Sequence, residues 1–111
     1  MPGGIPPEVS LGLFRVLEEA LTNVARHSGA REAQVSLLFD EDIILRVADQ
    51  GRGFRSSKDA PRGLGFVSMR ERVEAMGGHL TVVSHPGEGT VIEARVPAPR
   101  AAAARQAAES A

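Results

Sequence analysis

Glu18-Glu19-Ala20-Leu21-Thr22-Asn23-Val24-Ala25-Arg26-His27 is the stretch around which the remaining chain can be arranged. Read as a helix, it sets Glu19, Asn23 and His27 at successive i, i+4 positions, so a carboxylate, an amide and an imidazole share one stripe. Leu13, Leu17, Ala20, Leu21 and Val24 recur at helical spacing on the opposite side, which makes that side the expected core face. Taken alone, the polar stripe reads first as a solvated surface. Two glycine-rich segments downstream shift the reading toward a pocket.

Working outward, proline is favoured in a first helical turn and glycine at a C-terminal cap, so the helix is expected from near Pro7 to Ser28-Gly29. Gly12 costs it about 1 kcal/mol relative to alanine. Before it lies a breaker-rich lead-in, residues 1–6, with Gly3-Gly4 and Pro6. After it, the alternation of Val35, Leu37 and Phe39 within Ala33 to Asp40 predicts a strand. The acidic turn Asp40-Glu41-Asp42 joins this to a second strand, Ile43 to Val47, as a hairpin. The segment Arg55 to Arg62 has no apolar periodicity and is expected to be a mobile loop. Gly63-Leu64-Gly65 opens a second helix, Phe66 to Met76, which Gly77-Gly78 stops. Leu80 to Val83 and Val91 to Val96 are strand-like, and His85-Pro86-Gly87-Glu88-Gly89 turns between them. The expected order is helix, two strands, helix, two strands, in one domain over residues 7–97. An alanine-rich tail, residues 98–111, is expected to be disordered, since a short isolated helix is rarely stable in water.

Composition narrows the function. The 111 residues are 42% hydrophobic, enough for one core. Thirteen basic and 14 acidic residues give a formal charge of −1, so no global field draws the chain to nucleic acid or an anionic membrane. There is no cysteine, hence no disulfide framework or thiolate chemistry, which suits the cytoplasm. No apolar run approaches a membrane span, and with no Trp, no Tyr and four Phe an aromatic platform for single strands is not expected.

Asp49-x-Gly51-x-Gly53 follows a strand end, where a carboxylate can point into a cleft and glycines let the chain turn sharply and a ligand approach. Gly63-x-Gly65 at a helix mouth offers free backbone N–H groups and the positive end of a helix dipole, the ingredients of a phosphate cradle. Neither segment is a Walker loop. Gly63-Leu64-Gly65-Phe66-Val67-Ser68 also lacks the third glycine and the preceding strand of a dinucleotide fingerprint.

Together, Glu19-x-x-x-Asn23, Asp49-x-Gly51-x-Gly53, and Gly63-Leu64-Gly65 running into Met69-Arg70-Glu71-Arg72 resemble the GHKL ATPase superfamily. More narrowly they resemble the ATP-binding catalytic (HATPase) domain of sensor histidine kinases of the nitrate-sensor and DesK-like branch. The resemblance spans roughly Pro7 to Pro97. It implies an α/β two-layer sandwich of the Bergerat type, a mixed β-sheet covered on one face by helices, with a strand before the first helix that only Met1 to Ile5 remain to supply.

The resemblance also assigns roles. Asn23 would ligate Mg²⁺ together with the nucleotide phosphates, in keeping with magnesium's preference for hard oxygen donors and few protein ligands. Glu19, as the catalytic residue, would orient or deprotonate the attacking group, or hold a metal-bound water. Arg26 or His27 would reach the phosphates, with a structural role favoured for His27. Asp49 would accept a hydrogen bond from the adenine amino group, supported by Thr90 directly or through water. Guanine presents an acceptor there, so ATP is expected over GTP. Gly51 and Gly53 would admit the base, Gly63, Leu64 and Gly65 would wrap the phosphates, and Phe54 to Arg62 would form a short lid.

His27, His79 and His85 do not fit the phosphoacceptor, which the resemblance places on a separate dimerisation domain. The implied function is to hold Mg·ATP for phosphoryl transfer to that domain, with a response regulator downstream and little turnover by this chain alone. The alternatives are a nucleotide-responsive binding module or an anti-sigma-type serine kinase. A gyrase-like or mismatch-repair ATPase would typically carry a longer lid and further domains.

Overall fold

The computed structural model describes residues 5–54 and 65–98. The expected mobile loop, most of the lead-in, nearly all of the tail, and Gly63 and Leu64 lie outside them. Helix α1 runs Pro7–Asn23 with Pro6 as its N-cap, and continues as a π-helical turn, Val24–Ser28. Strands β1 (Ala33–Phe39) and β2 (Asp42–Asp49) form the first hairpin, helix α2 spans Phe66–Ala75, and β3 (His79–His85) and β4 (Gly89–Pro97) form the second hairpin.

The element order is the expected one, and each strand after β1 is longer than periodicity indicated. Ser84, His85, Gly89 and Thr90 have turn-like chemistry, yet Ser84 pairs with Thr90 and His85 with Gly89 in the ladder. The turn itself is tight, closed by the Glu88 N–H donating to the His85 carbonyl at 2.9 Å. The sheet has four strands in the order β1-β2-β4-β3. Every pairing among the described residues is antiparallel, so no parallel pair of a mixed sheet is present there.

Alternation decides which face is covered. Ile43, Leu45 and Val47 of β2 stand opposite Val96, Ala94 and Ile92 of β4, and all six are buried. Leu80 of β3, Leu13, Val16 and Ala20 of α1, and Met69 and Val73 of α2 complete the core beneath the helices. Full burial of side chains such as Ile43 and Val16, at 0% and 1% exposure, contributes roughly 1.5–3 kcal/mol each. The result is a two-layer α/β sandwich with both helices on one face.

Helix α1 packs on β2 and β4, and α2 packs on β3, on β4 and against α1. Strand β1 receives little helix cover: Val35, Leu37 and Phe39 lie on the inner face by register yet remain exposed. For the same reason the α1 flank carrying Phe14 and Leu21 is exposed; of the expected stripe Leu13, Ala20 and Val24 are buried and Leu17 is half-buried, and Val16, outside that stripe, is buried at the centre. Gly12, a cost to helix propensity, has a packing reason. A β-carbon there would lie 2.6 Å from the Met76 sulfur, so its absence lets α2 approach α1 closely.

Candidate functional site

The site begins where α1 changes pitch. After Asn23 the repeat widens from i→i+4 to i→i+5. In an α-helix Ser28 would point about 140° away from Asn23; the wider turn brings both to one face. The buried Ser28 hydroxyl donates to the Val24 carbonyl at 2.9 Å and accepts the Ala30 N–H at 3.0 Å, and Gly29 closes the turn as expected.

The end of β2 is held against this turn. Asp49 is the last residue of β2, 8% exposed, and its ladder partner is Thr90. Its Oδ1 accepts the Gly51 N–H at 2.8 Å, the local turn that Asp chemistry favours. The Arg52 N–H donates to the Ser28 carbonyl at 2.7 Å, and the Gly87 N–H donates to the Arg52 carbonyl at 2.6 Å. Residues 49–53 are thereby clamped between the helix end and the β3–β4 turn. A β-carbon at Gly51 would overlap the Ser28 carbonyl oxygen, and one at Gly53, whose φ is +62°, would overlap that of His85. Chain packing therefore demands these two glycines before any ligand is considered.

Asn23, His27, Ser28, Gly53, Phe54, Phe66, Thr90 and Ile92 line a cavity between α1 and the sheet. The Phe54 and Phe66 rings, 5.8 Å apart at their centroids and tilted by 37°, form one wall. The lining combines hydrogen-bonding side chains, Asn23, His27, Ser28 and Thr90, with the apolar Phe54, Phe66 and Ile92, a mixture that suits a partly polar ligand. Its open space is about 30 Å³, on the scale of a single water. A nucleobase is larger than this space and enters only if lining side chains move.

The sequence-derived residues divide into groups. Asn23, His27, Gly53 and Thr90 meet at the cavity. Asn23 is 7% exposed, which removes the reading of its stripe as solvated surface. Asp49 is at the register position opposite Thr90 but borders a neighbouring depression with Ala30, Gln34 and Gln50. Glu19 is half-buried across the α1–α2 seam, where a β-carbon on Gly65 would lie 2.6 Å from its Oε1, and it is not among the cavity's lining residues. Arg26, Arg70 and Arg72 are exposed.

Ser28, Phe66 and Ile92 were not singled out as site residues from the sequence, and Phe54 was given only as the start of the lid. The two phenylalanines flank the glycine segments, which is the one signal that could have marked them. Among the described residues no group of three or more His, Asp or Glu could hold a metal. The buried amide of Asn23 supplies one hard oxygen at the cavity, a donor set that fits a magnesium ion carried in by phosphates rather than an all-protein cage.

This chain belongs to the histidine kinase-, DNA gyrase B- and HSP90-like ATPase family, whose pattern it matches over residues 8–100. It is 36% identical over 94 residues to the sensor protein VraS of Staphylococcus epidermidis, covering 84% of this chain and 27% of the relative. It is 42% identical over 86 residues to the sensor histidine kinase LiaS of Bacillus subtilis, covering 77% and 24%. The chain thus spans about a quarter of the length of these relatives.

In fold it is similar to the blue-light activated histidine kinase of Erythrobacter litoralis EL346, with a TM-score of 0.70 at 24% identity over 89% of this chain and 33% of the other. It is also similar to the ATP binding domain of PrrB from Mycobacterium tuberculosis, with a TM-score of 0.64 at 23% identity over 80% and 68%. Both likenesses agree with the sandwich expected from the motifs. No helix among the described residues is long and apolar enough to cross a membrane.

Proposed function

We propose that this chain is the ATP-binding catalytic domain of a two-component sensor histidine kinase, acting in the cytoplasm. It would hold Mg·ATP while the γ-phosphoryl group passes to an imidazole nitrogen on a separate phosphoacceptor domain and ADP leaves. The observation that carries this reading is the convergence of Asn23 from α1 and Thr90 from β4 on one cavity, with Asp49 as Thr90's ladder partner. Membership of the ATPase family and the likeness to sensor kinases support it.

In this assignment Asp49 and Thr90 read the adenine amino group, Gly51 and Gly53 hold the loop beneath the base, and the Asn23 oxygen ligates Mg²⁺ between the phosphates. Glu19 and Gly65 lie together at the start of α2, where the helix dipole favours an anion. The phosphate chain is drawn there, over the segment Gly63-Leu64-Gly65. The Glu19 carboxylate would then be close enough to orient the attacking imidazole. Arg26, being exposed, would reach phosphates only at the rim, and His27 would pack beside the base. Catalysis of this kind is mainly positioning and charge neutralisation. A response regulator would receive the phosphoryl group from the complete kinase.

Calorimetric titration with ATP, with and without magnesium, tests the binding step. Saturable binding that magnesium strengthens is expected, and no saturable binding would overturn the assignment. Incubation with γ-labelled ATP and the separate dimerisation domain, a pair of helices carrying the phosphoacceptor histidine, tests the transfer step. Binding without any label on the helix pair would make the chain a nucleotide-responsive binding module instead.

A further inference from the structure

Ser84 lies on β3 opposite Thr90, half-buried, outside every motif described above. Its hydroxyl oxygen accepts the Phe54 N–H at 2.8 Å, lies 3.1 Å from the Gly89 carbonyl oxygen, and lies 2.8 Å from the Thr90 hydroxyl. A serine hydroxyl has one proton and two lone pairs, and Phe54 takes one lone pair. In the arrangement that pairs every donor within the protein, the Ser84 proton goes to Gly89 and the Thr90 proton goes to the second lone pair of Ser84. Thr90 is then left with lone pairs alone to offer the cavity.

We infer that Ser84 is a positioning residue for base recognition. It turns the Thr90 hydroxyl into an acceptor and ties that acceptor to the Phe54 backbone at the cavity wall. Beside Asp49, also an acceptor, Thr90 so oriented suits an exocyclic amino group with two N–H bonds. A base edge lacking those protons gains nothing from the pair. The inference rests on the assignment of Asp49 and Thr90 to the adenine edge. It adds a fixed hydroxyl orientation and a residue that imposes it.

The test measures affinity for ADP and for purine riboside 5′-diphosphate, which lacks the amino group, in the whole chain with magnesium. The variants are Ser84→Ala, Ser84→Thr, Thr90→Val and the double substitution Ser84→Ala with Thr90→Val. Losing one oriented neutral hydrogen bond is expected to weaken ADP binding about five- to tenfold in Ser84→Ala. Binding of the purine analogue should stay at the parental level, and Ser84→Thr should restore ADP binding. The double variant should bind ADP no more weakly than Thr90→Val alone, because Ser84 acts through Thr90.

Equal losses for both nucleotides, or losses that multiply in the double variant, would reduce Ser84 to a structural residue and overturn the inference while leaving the nucleotide site intact. A parental chain that binds neither nucleotide would remove the site itself. Should Ser84→Ala not fold, Ser84→Cys keeps the size with a weak hydrogen-bonding group and is held to the same comparison.

Discussion

Replacing Asp49 by asparagine separates base recognition from folding. The carboxylate has two oxygens: Oδ1 accepts the Gly51 N–H at 2.8 Å, and in the proposed assignment the other would meet the adenine amino group at the strand end opposite Thr90. Asparagine can keep its amide oxygen on Gly51, which places its NH₂ where the second oxygen stood, so an adenine amino group would meet a donor. A hydrogen bond to a charged group is worth about 1.5–3 kcal/mol, so ADP and ATP affinity should fall roughly ten- to a hundredfold. The fold should be nearly unchanged.

Alanine removes both oxygens and leaves the part-buried Gly51 N–H without its acceptor, at a cost of about 1–3 kcal/mol in stability. Asp49→Ala should therefore lose affinity similarly, remain folded, and melt lower by about 4–8 °C per kcal/mol. Calorimetry at fixed magnesium and thermal unfolding of both variants give the two readings. Parental affinity in Asp49→Asn would take Asp49 out of the site. Equal melting temperatures in both variants would show that the Gly51 hydrogen bond contributes nothing.

Asn23→Ala should abolish the magnesium dependence of ATP binding, and a variant whose affinity still rises with magnesium would contradict the assignment of the metal to Asn23. Gly53→Ala should destabilise the chain by more than about 2 kcal/mol, since it adds the strain of a left-handed backbone to a collision with the His85 carbonyl. An unchanged denaturation midpoint would show that the clamp around residues 49–53 yields easily.

The order of elements was legible because each period is locally written: 2 in Val35, Leu37 and Phe39, and near 3.6 along α1. Site residues on the motifs were also legible as candidates, and four of them, Asn23, His27, Gly53 and Thr90, meet at one cavity. Three features escaped for physical reasons. Helical spacing cannot show that the last turn of α1 widens, since the residues Val24 to Ser28 carry no breaker, so Ser28 was read only as the helix end and not as a site residue. The expected helix stripe included Leu21, which is exposed, and omitted Val16, which is buried, because which flank is covered depends on β1 having little helix cover. Gly51 and Gly53 were read for ligand access, while the demand comes from carbonyls of Ser28 and His85 that are distant in sequence.

The geometry also says where a base must enter. The β2 exit is held on both sides, by Ser28 and by Gly87, and the Phe54 backbone is pinned through Ser84. Of the two rings that narrow the cavity, Phe66 instead rides on the first residue of α2. Helix α2 comes close to α1 at Gly12 with Met76 and at Glu19 with Gly65, and its Met69 and Val73 share the core with Leu13, Val16 and Ala20. Met76 is a flexible thioether and Glu19 a flexible carboxylate, so the α1–α2 seam yields more readily than the clamped strand end. Room for a base therefore comes from rotation of the rings or a shift at the start of α2. In the proposed assignment the phosphates lie at that same end of α2, so a shift there would couple admission of the base to placement of the phosphates.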